Sequence, residues 1–192
     1  MKLVTGLGNP GRDYHATRHN AGFRWVERLA GSASFRLEPK FHGWVATLTF
    51  TEHETRLLLP NTYMNESGAA VSALARYYKI APAEILIVHD ELDLSPGDVR
   101  LKNGGGVAGH NGLKSVAAHL NTRDFWRLRL GIGHPGERGG VVHYVLHPAR
   151  PEEEALIENA MSRALEVWPL IAAGRHEAAM MKLHTKSLRG EG

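Results

Sequence analysis

The sequence predicts an α/β fold, a single domain in which helices flank one central β-sheet. Short apolar runs alternate with amphipathic stretches along its 192 residues, the pattern of strands and helices layered on one sheet. One run, Ile85-Leu86-Ile87-Val88, is apolar throughout and bounded by polar residues, as a strand covered on both faces must be. The chain has neither internal repeats nor low-complexity tracts. At this length a single domain can bury about 70% of the surface that the unfolded chain exposes. Hydrophobic residues make up 43% and charged residues 22%, a globular balance.

Lys2 to Leu7 reads as the first strand, ended by Gly8-Asn9-Pro10-Gly11, where Pro and Gly favour a tight turn. A helix follows from about Asn20, with Phe23, Val26, Leu29 and Ala30 at helical spacing and Gly31 at its stop. Trp44 to Phe50 and Arg56 to Leu59 pair as strands across Thr51-Glu52-His53-Glu54. The next helix carries Val71, Leu74, Ala75 and Tyr78. Ile85 to Val88 forms the central strand and delivers His89-Asp90-Glu91 at its carboxyl end.

Val99 to Lys102 is a short strand before Gly104-Gly105-Gly106. A helix from about Asn111 turns Leu113, Val116, Ala117 and Leu120 inward. Trp126 to Ile132 alternates, with Leu128, Leu130 and Ile132 on one face and Arg127 and Arg129 on the other. Pro151 opens a helix whose first turn holds Glu152-Glu153-Glu154, charges that the helix dipole favours there. It extends to about Ala173, with Pro169 as a point of kinking. A shorter helix from Glu177 to Leu183 completes a domain of residues 1–185, and 186–192 is expected to be a mobile basic tail.

The chain contains no cysteine, which removes disulfides, thiolate catalysis and cysteine-rich zinc sites together. Neither a secretory apolar segment nor a membrane-spanning run is visible, so a cytoplasmic location is expected. The net charge of +3 suits a polyanionic partner without demanding one.

Gly6-Leu7-Gly8-Asn9-Pro10-Gly11 fits the dinucleotide pattern G-x-G-x-x-G, but Pro10 and the irregular Arg12 to Arg18 segment delay the helix that should meet a pyrophosphate. Glu27, the nearest acidic partner, lies in a helix instead of at a strand end. His19 precedes a helix in Thr17-Arg18-His19-Asn20-Ala21-Gly22, and as one of twelve histidines it could be an ordinary capping or surface residue. A general base needs an orienting carboxylate, and Asp90 at the end of a buried strand can supply one. Ligand crevices in open α/β sheets form at that end. Asn9, Asn65 and Asn111 each occupy a turn or helix start, where they can serve as caps or as substrate-contacting amides.

Metal signatures fail on inspection. His176-Glu177-Ala178-Ala179 is followed by Met180, which breaks H-E-x-x-H. His143 and His147 would share a face if their segment were a strand, with no third ligand evident. No G-x-S-x-G elbow is present. Arg100 with Lys102, and Arg127 with Arg129, each share a strand face and would form a phosphate-binding stripe if they converge. Lys114 adds to the same basic group.

Taken in order, Gly6-Leu7-Gly8-Asn9-Pro10-Gly11, Thr17-Arg18-His19-Asn20-Ala21-Gly22, Met64-Asn65-Glu66-Ser67-Gly68, His89-Asp90-Glu91-Leu92-Asp93, Gly109-His110-Asn111-Gly112-Leu113-Lys114 and Arg127-Leu128-Arg129-Leu130-Gly131-Ile132-Gly133 resemble the bacterial peptidyl-tRNA hydrolase family. The resemblance covers essentially the whole chain. It implies a monomer with a mixed central sheet, hydrolysis of peptidyl-tRNA without metal or other cofactor, and recycling of tRNA released prematurely from ribosomes. By position it makes His19 the base, Asp90 its orienting carboxylate, and Asn9, Asn65 and Asn111 the amides holding peptide and water. Tyr14 and Tyr63 would flank the tRNA end beside Met64, and Lys102 and Arg129, with Arg100 nearby, would clamp its phosphate. A catalytically silent RNA-binding module on the same fold is the alternative, and it would be favoured by loss of His19 or Asp90. Three departures stand out: Tyr63 replaces Phe, Arg100 replaces Lys, and Val107-Ala108 replaces His-Gly, a change expected to alter the loop beside Asn111.

Overall fold

The computed structural model describes residues 1–50, 52–136 and 140–185. Strands β1 (Leu3–Gly6), β2 (Arg36–Glu38), β3 (Gly43–Phe50), β4 (His53–Pro60), β5 (Ile85–Glu91), β6 (Val99–Asn103) and β7 (Trp126–Gly131) form one mixed sheet in the order β2-β3-β4-β1-β5-β7-β6. The four inner strands β4, β1, β5 and β7 run parallel, whereas β3 and β6 run antiparallel to their inner neighbours. All four parallel carboxyl ends therefore open on one edge, the edge at which α/β sheets place ligands.

Around the sheet lie α1 (Arg12–His15), α2 (Ala21–Ala30), α3 (Ser67–Tyr77), α4 (Asn111–Leu120), α5 (Val141–Val145), α6 (Pro151–Ala172) and α7 (His176–His184). The strand period of two divides the core between the faces. Leu86 and Val88 join one cluster with residues of α2, α6 and α7, while Ile85 and Ile87 join the other with residues of α3 and α4. Covering on both sides is the reason that the β5 run is apolar at every position. Each such side chain, when fully buried, contributes about 1.5–3 kcal/mol.

Several elements differ from the sequence expectation. β5 extends to Glu91, so Asp90 stands at its carboxyl end as expected, and β2, α1 and α5 are elements that the sequence reading does not include. His143 lies within α5 and His147 follows it, so the two stack ring on ring at 3.8 Å instead of sharing a strand face. Pro169 sits inside α6 without ending it. The tail at 186–192 lies outside the described residues.

The approach of α2 to the sheet is set by glycine. A Cβ on Gly22 would overlap the Val88 carbonyl and lie 2.7 Å from the Leu7 amide nitrogen. The start of α2 thus rests directly on the ends of β1 and β5, with His19 three residues away. Gly22→Ala is expected to force these backbones apart and cost about 2–3 kcal/mol, read as a lowered urea midpoint at unchanged m-value. An unchanged midpoint would show that the contact is slack.

Candidate active site

His19 occupies a 3-10 turn, Arg18–Asn20, between α1 and α2, and its two neighbours in the chain anchor it. The buried Arg18 guanidinium donates to the carbonyls of Tyr144 at 3.0 Å and His147 at 3.3 Å. It also pairs with Glu153 at 3.2 Å and lies 3.8 Å from the centre of the Tyr144 ring. Asn20 reaches the other way. Its side-chain oxygen accepts from the Asn9 N–H at 2.9 Å, and its amide donates to the Asn9 carbonyl at 2.8 Å. The turn is pinned between α5 and the β1 loop, leaving the imidazole little freedom.

The His19 Nδ1 lies 3.0 Å from both oxygens of Asp90, a carboxylate only 3% exposed. An ionised carboxylate can only accept, so Nδ1 carries the proton and Nε2 keeps the free lone pair. Asp90 Oδ1 also accepts from His110 Nε2 at 2.8 Å. His110 is the N-cap of α4, and its Nδ1 accepts from the Leu113 N–H at 3.2 Å. That cap leaves the His110 proton on Nε2, facing Asp90.

Burial opposes charge on His19, but the attraction of Asp90 and its hydrogen bond outweigh burial and raise the imidazole above its ordinary value. Burial likewise opposes the Asp90 carboxylate, yet His19 and His110 together hold it far below the usual range. The neighbouring His89 goes the other way. Complete burial, reinforced by His110, lowers it to about 3, so it stays neutral and donates Nδ1–H to the Asp90 carbonyl at 2.8 Å.

Asn9 is fixed as firmly. Its side-chain oxygen accepts from the Met64 N–H at 2.7 Å, which assigns the amide orientation and leaves the NH₂ group as a donor. Asn9, His19, Tyr63, Met64, Asn65, Asp90 and Asn111 all line one cleft of about 290 Å³, whose remaining wall includes Val141, Val142 and Val145 of α5. Lys102 and Arg129 line an adjoining cleft that shares Glu91, Ala108 and His110 with the first. Arg129 is held there by Glu91 at 2.8 Å. Arg100 stands opposite Arg129 in the register of β6 and β7, outside both linings, and Tyr14 on α1 likewise lines neither cleft.

Arg127 lines the same cleft as Lys102 and Arg129, so that part of the stripe does converge, but its guanidinium is bound to backbone carbonyls. It does share a strand face with Arg129, but it is 2% exposed and donates to the carbonyls of Gly105, Gly106 and Arg123. It braces the glycine loop instead of offering its charge to solvent. In that loop Ala108 adopts a left-handed φ of 44°, a conformation that suits glycine. His110 is the functional residue that sequence reasoning passed over. The sequence reading offers Asn111 as a possible helix cap, whereas the structure gives the cap to His110, whose bond to Asp90 appears only in the fold.

His19, Asp90 and His110 bring three ligating atoms within 4.8 Å of one another, a donor set that could hold a metal ion. The Leu113 cap argues against that use, because it turns an N–H, not a lone pair, from His110 towards Asp90. The arrangement fits a hydrogen-bonded base better: one imidazole with a free lone pair, an anion behind it, and a fixed amide donor beside it.

Fold and site together define an α/β protein with a hydrogen-bonded His–Asp pair in a crevice at its strand ends. The family model described as peptidyl-tRNA hydrolase matches residues 3–191. The chain is 61% identical to "Peptidyl-tRNA hydrolase" of Nitrosospira multiformis, covering 97% of this chain and 98% of that one. It is 56% identical to that of Nitrosomonas europaea over 97% and 96% of the two chains. A crystal structure of peptidyl-tRNA hydrolase from Acinetobacter baumannii superposes with a TM-score of 0.94 at 46% identity, covering 96% of this chain and 95% of that one. The chain belongs to the peptidyl-tRNA hydrolase family.

An NMR titration of the His19 ring should give a midpoint above the ordinary 6.5. In Asp90→Asn the midpoint should fall below that value, because burial then acts without its counterweight. A midpoint indifferent to Asp90 would mean that the pair is not coupled.

Proposed function

We propose that this protein hydrolyses the ester joining peptide to tRNA in peptidyl-tRNA, with His19 as general base. The observation that carries the reading is the Asp90 bond to Nδ1, which reserves the Nε2 lone pair of His19 for a water molecule in the cleft. Water gives a proton to Nε2 as its oxygen attacks the ester carbonyl, and the imidazolium formed is stabilised by Asp90. The NH₂ of Asn9, fixed by Met64 and Asn20, donates to the oxyanion of the tetrahedral intermediate. Collapse breaks the bond to the tRNA 3′ oxygen, which takes the proton back from His19. No covalent enzyme intermediate and no metal step are required.

Asn65 and Asn111, both exposed on the cleft wall, would hold the peptide backbone. Tyr63, 62% exposed, offers a ring to the tRNA end, with Met64 beneath it. Lys102 and Arg129 would bind a phosphate near that end, with Arg100 adding to the local field. Tyr14, on α1 outside both clefts, would touch only the terminal nucleoside next to Asn9 and not the phosphates. Action as a monomer is part of the same reading. Among the described residues no helix is long and apolar enough to cross a membrane, and a substrate made on ribosomes places the work in the cytoplasm, where it would recycle tRNA.

His19→Ala should lower hydrolysis of N-acetyl-aminoacyl-tRNA by about 10²- to 10⁴-fold while leaving tRNA affinity largely intact, and wild-type turnover should survive a chelator. Parallel loss of binding would make His19 a binding residue, and loss of turnover in the chelator would reject the mechanism. Lys102→Ala or Arg129→Ala should weaken tRNA binding and reduce its salt slope by about one. An unaltered slope would remove that residue from the phosphate site.

A further inference from the structure

A second cleft, of about 470 Å³, opens on the far side of Asn9 from His110. It is larger than the cleft that holds His19. Its floor is apolar and aromatic, made by Phe23 of α2, Phe35, Trp44 at the start of β3 and Leu59 at the end of β4. Trp44 is 41% exposed, although it stands opposite Leu59 in the β3–β4 register. An indole left open beside a buried leucine is a ready contact surface for an apolar group.

The two clefts meet at Asn9, which lines both and whose backbone is clamped by Asn20. The strand order places the second cleft over β1, β4 and β3, and the basic groups Arg100, Lys102 and Arg129 over β6 and β7. The ester site at Asn9 and Asp90 lies between them. Charge separates the two ends as well. Among the described residues lining the second cleft the basic groups are Arg12 and His15, the latter paired with Glu27 at 2.9 Å, so a polyanion finds little there to bind. An ester leaves its reacting carbon in two directions, towards the alcohol and towards the acyl chain. With the nucleic acid drawn to the basic end, the acyl chain is directed to the opposite one.

We infer that the cleft between Trp44 and Phe23 is a second peptide subsite, receiving an apolar or aromatic side chain of the residue that precedes the esterified one. This rests on the proposed ester hydrolysis at His19. The subsite adds a preference for sequence beyond the scissile residue, acquired by desolvating one side chain against Trp44, Phe35 and Leu59.

The test compares N-acetyl-Phe-Ala-tRNA with N-acetyl-Gly-Ala-tRNA, using N-acetyl-Ala-tRNA as a substrate too short to reach the cleft. Wild-type protein should favour Phe over Gly by about tenfold in kcat/KM, a factor typical of burying one apolar side chain. Trp44→Ala should bring that ratio close to one, and Trp44→Leu should retain an intermediate preference. The ratio is taken within each variant, so a partial loss of folded protein cancels. Equal rates for Phe and Gly in the wild type, or a preference untouched by Trp44→Ala, would overturn the subsite. Weaker binding of deacylated tRNA by Trp44→Ala would also overturn it, by giving the cleft to nucleic acid. Failure to cleave even N-acetyl-Ala-tRNA would instead refute the proposed hydrolysis.

Discussion

The site depends on one buried anion. Removing a carboxylate from water costs several kcal/mol even after relaxation, and Asp90 tolerates it because two imidazole N–H groups converge on its oxygens. The same two bonds set the arrangement of protons in the site. They orient the His19 ring, keep its Nδ1 protonated, and dictate which nitrogen remains basic. His110 is held from behind by the Leu113 N–H, so the network ends in helix backbone and not in a movable side chain. A neutral residue at 90 would leave two donors facing nothing charged.

The fold brings these groups together by placing four parallel strand ends on one edge. β5 carries Asp90, the turn after β1 carries Asn9, and α4 rises from the loop that follows β6 to present His110. Arg18 and Asn20, on either side of His19, pull its turn in opposite directions, one towards α5 and α6 and the other onto Asn9. Asn20 therefore ties the His19 turn to Asn9. The absence of a side chain at Gly22 lets that turn sit against the sheet. Along the edge, the site lies between basic groups over β6 and β7 and an aromatic cleft over β3 and β4, a polarity that matches a substrate with a charged half and an apolar half.

Much of this was legible in the sequence where a period or a motif existed. The continuous apolar run at 85–88 foretold a strand covered on both faces, and the alternation at 126–132 correctly divided leucine from arginine. Asp90 and His19 could be paired because one lay at a strand end and the other in the resembling motif. β2, α1 and α5 were not legible: they hold too little of a period, and unlike the equally short β1 and β6 they do not run straight into a glycine-rich turn that marks their end. Arg127 shows a different limit. Strand alternation gave its face correctly, but the glycine loop that folds over it and takes its hydrogen bonds is a tertiary event. His110 was hidden similarly, because its cap is local while its bond to Asp90 spans twenty residues. Ala108 could be seen as a departure from the family pattern, whereas its left-handed backbone could not.

The central claim is the division of protons around Asp90, and the ring nitrogens of His19 and His110 test it most directly. Long-range ¹H–¹⁵N correlation spectra, recorded above the His19 midpoint, should show neutral His19 protonated on Nδ1 and His110 protonated on Nε2. Finding the His19 proton on Nε2 would contradict the account, for the nitrogen left to act as base would then be the one already turned towards Asp90.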